Sequence, residues 1–134
     1  MKTGERCDLK KRTRQFALRV IRLYGSLGRD TLSQVLGKQV LRSGTSVGAN
    51  YREASRARSD AEFVSKLGIA QQELEETLYW FELLVESNLI AERQIAELRD
   101  EANQLMAIFI TIMRNRKKKP AAKSDETTTP DKPR

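Results

Sequence analysis

Residues 43–50 read Ser43-Gly44-Thr45-Ser46-Val47-Gly48-Ala49-Asn50, and whether they break a helix or belong to one decides how many helices the chain has. On local grounds the stretch is a poor helix, because each glycine costs about 1 kcal/mol relative to alanine in a helix interior. One reading ends a helix here. The other keeps the helix and takes the small side chains as the place where a neighbouring helix comes close, with Asn50 hydrogen-bonding at the edge. The phase of the pattern favours continuity. Val40, Ser43, Val47, Asn50 and Ala54 step by three and four straight through the stretch, and a break would usually reset that phase.

Working outward, this second helix starts at Thr31, where Thr31 and Gln34 form a capping box, and its apolar stripe is Leu36, Val40, Val47, Tyr51 and Ala54. The first helix runs from about Asp8 to Leu27 on Leu9, Phe16, Val20, Leu23 and Leu27, with Thr13 between them, and Gly25 and Gly28 stop it. The third begins at Ser59, capped by Ser59 and Glu62, and buries Val64, Leu67, Leu74, Leu78, Phe81 and Val85. After a turn at Ser87-Asn88, Ile95, Leu98, Ala102, Leu105, Phe109 and Ile112 repeat as a coiled-coil-like heptad on the fourth. No stretch alternates with period two. The expected fold is all-α, an antiparallel up-down-up-down four-helix bundle over residues 8–116. Residues 117–134 carry no large apolar side chain and read as a disordered basic tail.

Composition narrows the function. The 134 residues hold 25 Lys+Arg against 18 Asp+Glu, a net charge of +7, and no histidine. Lacking histidine, the chain lacks the usual general base and the commonest transition-metal ligand. The single Cys7 can form neither an intrachain disulfide nor a metal clip, and no P-loop, nucleophile elbow or Cys/His pair is present. Glu73-x-x-Glu76 lacks the histidine of a di-metal carboxylate site and reads as a partner for ion pairs. These features point away from an enzyme and from any cofactor, metal or small-molecule substrate. No apolar run is long enough for a membrane span and the N-terminus has no secretory pattern, so a cytoplasmic location is expected.

The charge is uneven along the chain: +6 over residues 1–30, +4 over 31–59, −7 over 60–100 and +4 over 101–134. Lys11, Arg14, Arg19 and Arg22 lie opposite the first helix's apolar stripe, and Arg114, Arg116, Lys117, Lys118 and Lys119 open the tail. Lys11, Arg14, Arg19, Arg22, Arg116, Lys117, Lys118 and Lys119 are thus the candidate contacts to RNA or DNA phosphates, binding by charge and shape without base stacking. The plainer reading, a solvated face that keeps the chain soluble, stands beside it.

A second surface follows from the helical projection. On the third helix Ile69, Glu73, Glu76, Trp80 and Leu83 cluster away from the core; on the second, Arg42, Ser46, Ala49 and Glu53 do the same. A face holding the only tryptophan with Ile and Leu predicts a homo-oligomer in which these faces meet, Arg42 pairing with Glu73 or Glu76.

The stretch Gly37-Lys38-Gln39-Val40-Leu41-Arg42-Ser43-Gly44-Thr45-Ser46-Val47-Gly48-Ala49-Asn50-Tyr51-Arg52-Glu53-Ala54, with Phe63-Val64-Ser65-Lys66-Leu67-Gly68-Ile69-Ala70 and Glu76-Thr77-Leu78-Tyr79-Trp80-Phe81-Glu82-Leu83-Leu84, resembles the four-helix bundle proteins encoded within intervening sequences of bacterial 23S ribosomal RNA genes. The likeness covers both central helices; the outer two fit by length and pattern. It implies a left-handed antiparallel bundle assembled as a ring-shaped homopentamer with a basic surface. More distantly, the chain is similar to the accessory protein of diversity-generating retroelements, which implies a second reading: a protein-interaction scaffold or accessory subunit docking a partner such as a reverse transcriptase, without direct nucleic-acid binding. The tail lies outside the family pattern.

Overall fold

The structure is a computed structural model that describes residues 3–118, with side-chain surroundings from residue 9 onward. The described residues form four helices and no strand: α1 (Thr3–Gly25), α2 (Thr31–Ser55), α3 (Asp60–Glu86) and α4 (Glu92–Lys118). α1 ends at Gly25, two residues before the expected Leu27, and starts upstream of Asp8. α4 carries Lys117 and Lys118 in its last turn; the expected disorder concerns residues that, from Lys119 on, lie outside the described ones.

α2 passes unbroken through Ser43–Asn50, and the reason is its neighbour. A Cβ on Gly44 would sit 2.8 Å from Val20 Cγ2, on Gly37 2.6 Å from Leu27 Cδ1, and on Gly48 3.2 Å from Thr13 Oγ1. These glycines are sockets: Gly44 and Gly48 take α1 side chains, Gly37 takes Tyr24 of α1 and Leu27 of the link after it, and the close packing offsets their poor helix propensity. Across the next seam, Ser43 and Arg42 meet Thr77, Glu73 and Glu76, while Glu53 meets Lys66. Buried Ser43 donates its hydroxyl to Gln39 O (2.9 Å) and accepts from Thr77 Oγ1 (2.8 Å), which keeps the polar pair satisfied in the core. Asn50 Nδ2 donates to Ser46 O (2.9 Å), a bond within its own helix.

The helix ends carry three separate devices. At α2 the cap is Asp30, not Thr31: its carboxylate accepts from Ser33 N (3.1 Å). Hydrogen bonds from Ser33 lower the Asp30 pKa. Gln34 instead spans the preceding link, accepting from Tyr24 Oη (2.6 Å) and donating to Gly28 O (2.8 Å). Ser59 caps α3 as expected, accepting from Glu62 N (3.0 Å), but Glu62 reaches back to Arg58 N. α3 closes at Asn88, the one non-glycine residue with positive φ (63°) among those described, with Leu89 N bonded to Leu84 O and Asn88 N to Val85 O. This is the six-to-one, five-to-two pattern that a left-handed residue permits.

The core draws on all four helices. On α4 the six expected heptad residues are all buried. On α3 the buried stripe is Phe63, Leu67, Ala70, Leu74, Thr77, Phe81 and Leu84, so Val64, Leu78 and Val85, expected in the core, are half-buried at its edge. Leu36 on α2 is likewise half-buried. No helix of the described residues is long and apolar enough to cross a membrane.

Candidate nucleic-acid and assembly surfaces

On α1, the 100° step that turns Leu9, Phe16 and Val20 inward turns Lys11, Arg14 and Arg22 outward. All three are exposed, and none forms an ion pair among the described residues. Arg19 sits further round, half-buried, with Nη2 3.5 Å from Glu97 Oε1 on α4. Its neighbour Arg12 turns fully toward α4 and grips Glu101 with Nε (3.0 Å) and Nη2 (2.8 Å), a two-pronged pair that draws α1 to α4. Of the four cations expected on the strip, three remain on the open face and the fourth is shared with the α4 seam. Two residues that charge-based reading passed over, Leu18 and Ile21, lie among them, 43% and 46% exposed.

The expected continuation at the end of α4 divides. Arg116 is held inside: Nη1 lies 2.7 Å from Asp60 Oδ1, and the guanidinium carbon lies 3.9 Å over the Phe63 ring. Arg116 therefore ties the last turn of α4 to the first turn of α3. Lys117 and Lys118 are exposed and line, with Arg114, one end of an open groove of about 900 Å³ between α3 and α4. Lys119 lies outside the described residues.

The α2–α3 face collects the nine residues expected at an oligomer contact, with one change of meaning. Arg42 on α2 reaches across to α3 within the same chain, with Nη1 3.4 Å from Glu73 Oε1 and Nη2 on Glu76 Oε2. Trp80 Nε1 donates to the same Glu76 oxygen (3.2 Å). The bonds from Arg42, then from Trp80, hold the Glu76 carboxyl below its ordinary pKa, and the bond to Glu76 raises that of Arg42. Pairing of Arg42 with Glu73 and Glu76 thus needs no second copy, because the α2–α3 seam already brings the three together. Glu53 at the far end of the face is likewise engaged by Lys66 (3.1 Å). Arg42 and Glu53 each keep half of their side-chain surface exposed despite this pairing. On the same two helices Leu32, Val35, Ile69 and Tyr79 are exposed, Ile69 also lining the groove between α3 and α4; Tyr79 rests against Trp80 with ring centroids 5.1 Å apart, and Leu83 is half-buried. Leu32, Val35 and Tyr79 escaped the sequence reading. Their signal was present as apolar residues off the core stripe on the first turns of α2 and the last turns of α3.

Comparison with known proteins agrees with this architecture. No curated protein matches the chain. A solved structure described as a protein of unknown function from the S23 ribosomal protein family of Bacteroides thetaiotaomicron VPI-5482 is 40% identical, aligning over 78% of this chain and 97% of that one with a TM-score of 0.74. The profile of the 23S rRNA-intervening sequence proteins matches residues 5–111, the whole four-helix unit apart from its outermost turns. The chain belongs to the 23S rRNA-intervening sequence protein family.

Proposed function

We propose that the chain is a non-enzymatic, cytoplasmic, antiparallel up-down-up-down bundle that assembles into a ring-shaped homo-oligomer, a pentamer, and binds RNA or DNA by charge and shape. The observation that carries the nucleic-acid reading is the row of Lys11, Arg14 and Arg22, exposed on one face of α1 with no acidic partner among the described residues. Cations so placed can neutralise successive phosphates, and the bound affinity then falls steeply with salt. The oligomer reading rests on the exposed apolar side chains of α2 and α3, since Arg42, Glu73 and Glu76 are already matched within one chain.

Fluorescence polarisation with generic RNA and DNA oligomers across a salt series tests the first part. Wild type binds, and replacing Lys11, Arg14 and Arg22 together by alanine weakens binding by about tenfold or more and flattens the salt slope by up to about three contacts. Equal affinity in the mutant sinks the nucleic-acid reading. Light scattering tests the second part: a monomer refutes it, and Trp80→Ala loosens the assembly where it holds.

Leu18 and Ile21 favour a second reading at the same face. Apolar side chains between the cations gain nothing from a phosphate backbone but suit an acidic protein partner, such as a polymerase or reverse transcriptase, docked by a scaffold. Leu18→Ser with Ile21→Ser separates the two: it leaves nucleic-acid affinity intact and abolishes protein docking.

A further inference from the structure

The helix-interior glycines of this protein do not all serve the same end. Gly37, Gly44 and Gly48 each leave room that a side chain of α1 or of the link after it fills, and a Cβ there would lie 2.6 to 3.2 Å from it. Gly68, in the middle of α3, is different. A Cβ there would meet only Met113 Sδ, at 4.0 Å, an ordinary contact, so nothing among the described residues requires a glycine at this point. Its cost in helix propensity, about 1 kcal/mol, is not offset by any neighbour among the described residues. Gly68 opens onto the groove of about 900 Å³ between α3 and α4, beside Val64, Ile110 and Met113. By the rule the other three glycines follow, it is a socket without its side chain.

We propose that the α3–α4 groove is a docking site for an amphipathic helix of a partner protein, which sets an apolar side chain over Gly68 and acidic side chains against Arg114, Lys117 and Lys118. Three observations choose this occupant. The groove's floor is aliphatic and thioether, with a methionine that adapts to varied side chains, and no aromatic ring lines it, so unpaired bases would find nothing to stack on. The three cations at one end are exposed and form no ion pair among the described residues, while the one acid in the lining, Glu75, is engaged by Gln71 (3.1 Å). Finally, residues 119–134, which follow directly, contain no large apolar side chain and cannot fill the floor. An apolar stripe with acidic flanks satisfies both the floor and the rim, in the mode of a helix laid in a groove. This surface is separate from the α1 strip and does not depend on the nucleic-acid reading.

The probe is a labelled helical peptide of about 18 residues with leucines at three- and four-residue spacing and glutamates elsewhere, set against a scrambled peptide of the same composition. Fluorescence anisotropy with the full chain shows saturable binding of the patterned peptide, about tenfold or more tighter than the scrambled one. Gly68→Leu weakens it by a similar factor, and so does reversing Arg114, Lys117 and Lys118 to glutamate. The Lys11/Arg14/Arg22 alanine variant binds the peptide as wild type does. Thermal melting guards the interpretation: Gly68→Ala raises Tm, because it gains propensity and meets no clash. Equal binding of both peptides, or undiminished binding by Gly68→Leu, overturns the proposal. So does a fall in Tm for Gly68→Ala, which would give the glycine an internal role. Competition by an RNA oligomer abolished by Gly68→Leu assigns the groove to nucleic acid, and loss of assembly mass in that variant assigns it to a second copy; either result overturns it too.

Discussion

Gly44 sits where two opposing contributions can be weighed against each other. Alanine there gains about 1 kcal/mol of helix propensity. Its Cβ, however, would stand 2.8 and 2.9 Å from the two γ-methyls of Val20, a fully buried, β-branched side chain with little freedom to move. Overpacking of this kind costs about 1–3 kcal/mol and outweighs the gain. Gly44→Ala is therefore expected to destabilise the fold, as read by the urea midpoint. A double-mutant cycle with Val20→Ala should show the two changes coupled, the pair costing less than the sum, because the smaller residue at 20 makes room for the new methyl. The in-phase pattern through residues 43–50 disclosed the helix and the close approach of a neighbour. It could not disclose which glycine meets which side chain, since that depends on the axial offset of α1, a property of two helices and not of one.

At the scale of helices, α3 shows where periodicity reaches its limit. Phe63 and Val64, Thr77 and Leu78, and Leu84 and Val85 are adjacent pairs, and either member could face inward. Seen alone, the helix favours the more apolar set. The structure buries Thr77 in place of Leu78, and Thr77 Oγ1 donates to Ser43 Oγ on α2, so its hydroxyl is satisfied where the two helices meet. Arg42 illustrates the converse. Its partners were legible, but a one-dimensional projection cannot tell a neighbouring helix from a neighbouring molecule. The cluster it forms with Glu73, Glu76 and Trp80 has a pH signature. A carboxyl whose folded pKa is depressed contributes stability above its unfolded value and loses it as pH falls through the folded one. Trp80 is the only tryptophan and donates to Glu76, so its emission reports this step. Wild-type emission should change with a midpoint below the usual glutamate range, about 4.3, and Glu76→Gln should abolish that transition.

For the molecule as a whole, the net charge proved a coarse guide and its distribution a better one. Of the eight cations expected to meet a polyanion, the structure leaves Lys11, Arg14 and Arg22 on one face and Lys117 and Lys118 on another, and draws Arg19 and Arg116 toward acidic partners. Sequence alone ranks these residues equally, because the acids that engage two of them lie on other helices. Among the neighbouring pairs, α1 and α4 share the sparsest seam, and Arg12 with Glu101 spans it. Glu101→Gln should therefore raise amide exchange in α1 several-fold, equivalent to about 1 kcal/mol, while α2 and α3 keep their protection. Uniform acceleration across all four helices would show instead that α1 opens only with the rest.

The three filled sockets also act as a ruler. Gly37, Gly44 and Gly48 engage Tyr24, Val20 and Thr13 at once, so α1 cannot slide along α2 by one residue without driving a side chain into a backbone that has no gap for it. A single residue inserted between Gly37 and Gly44 would rotate the later sockets by about 100° and void the match, whereas the same insertion in the Ser26–Asp30 link would leave the scale intact. Heritable length change in this chain is thus permitted in its links and forbidden along this seam, and the height at which α1 presents Lys11, Arg14 and Arg22 is fixed by residues that never touch them.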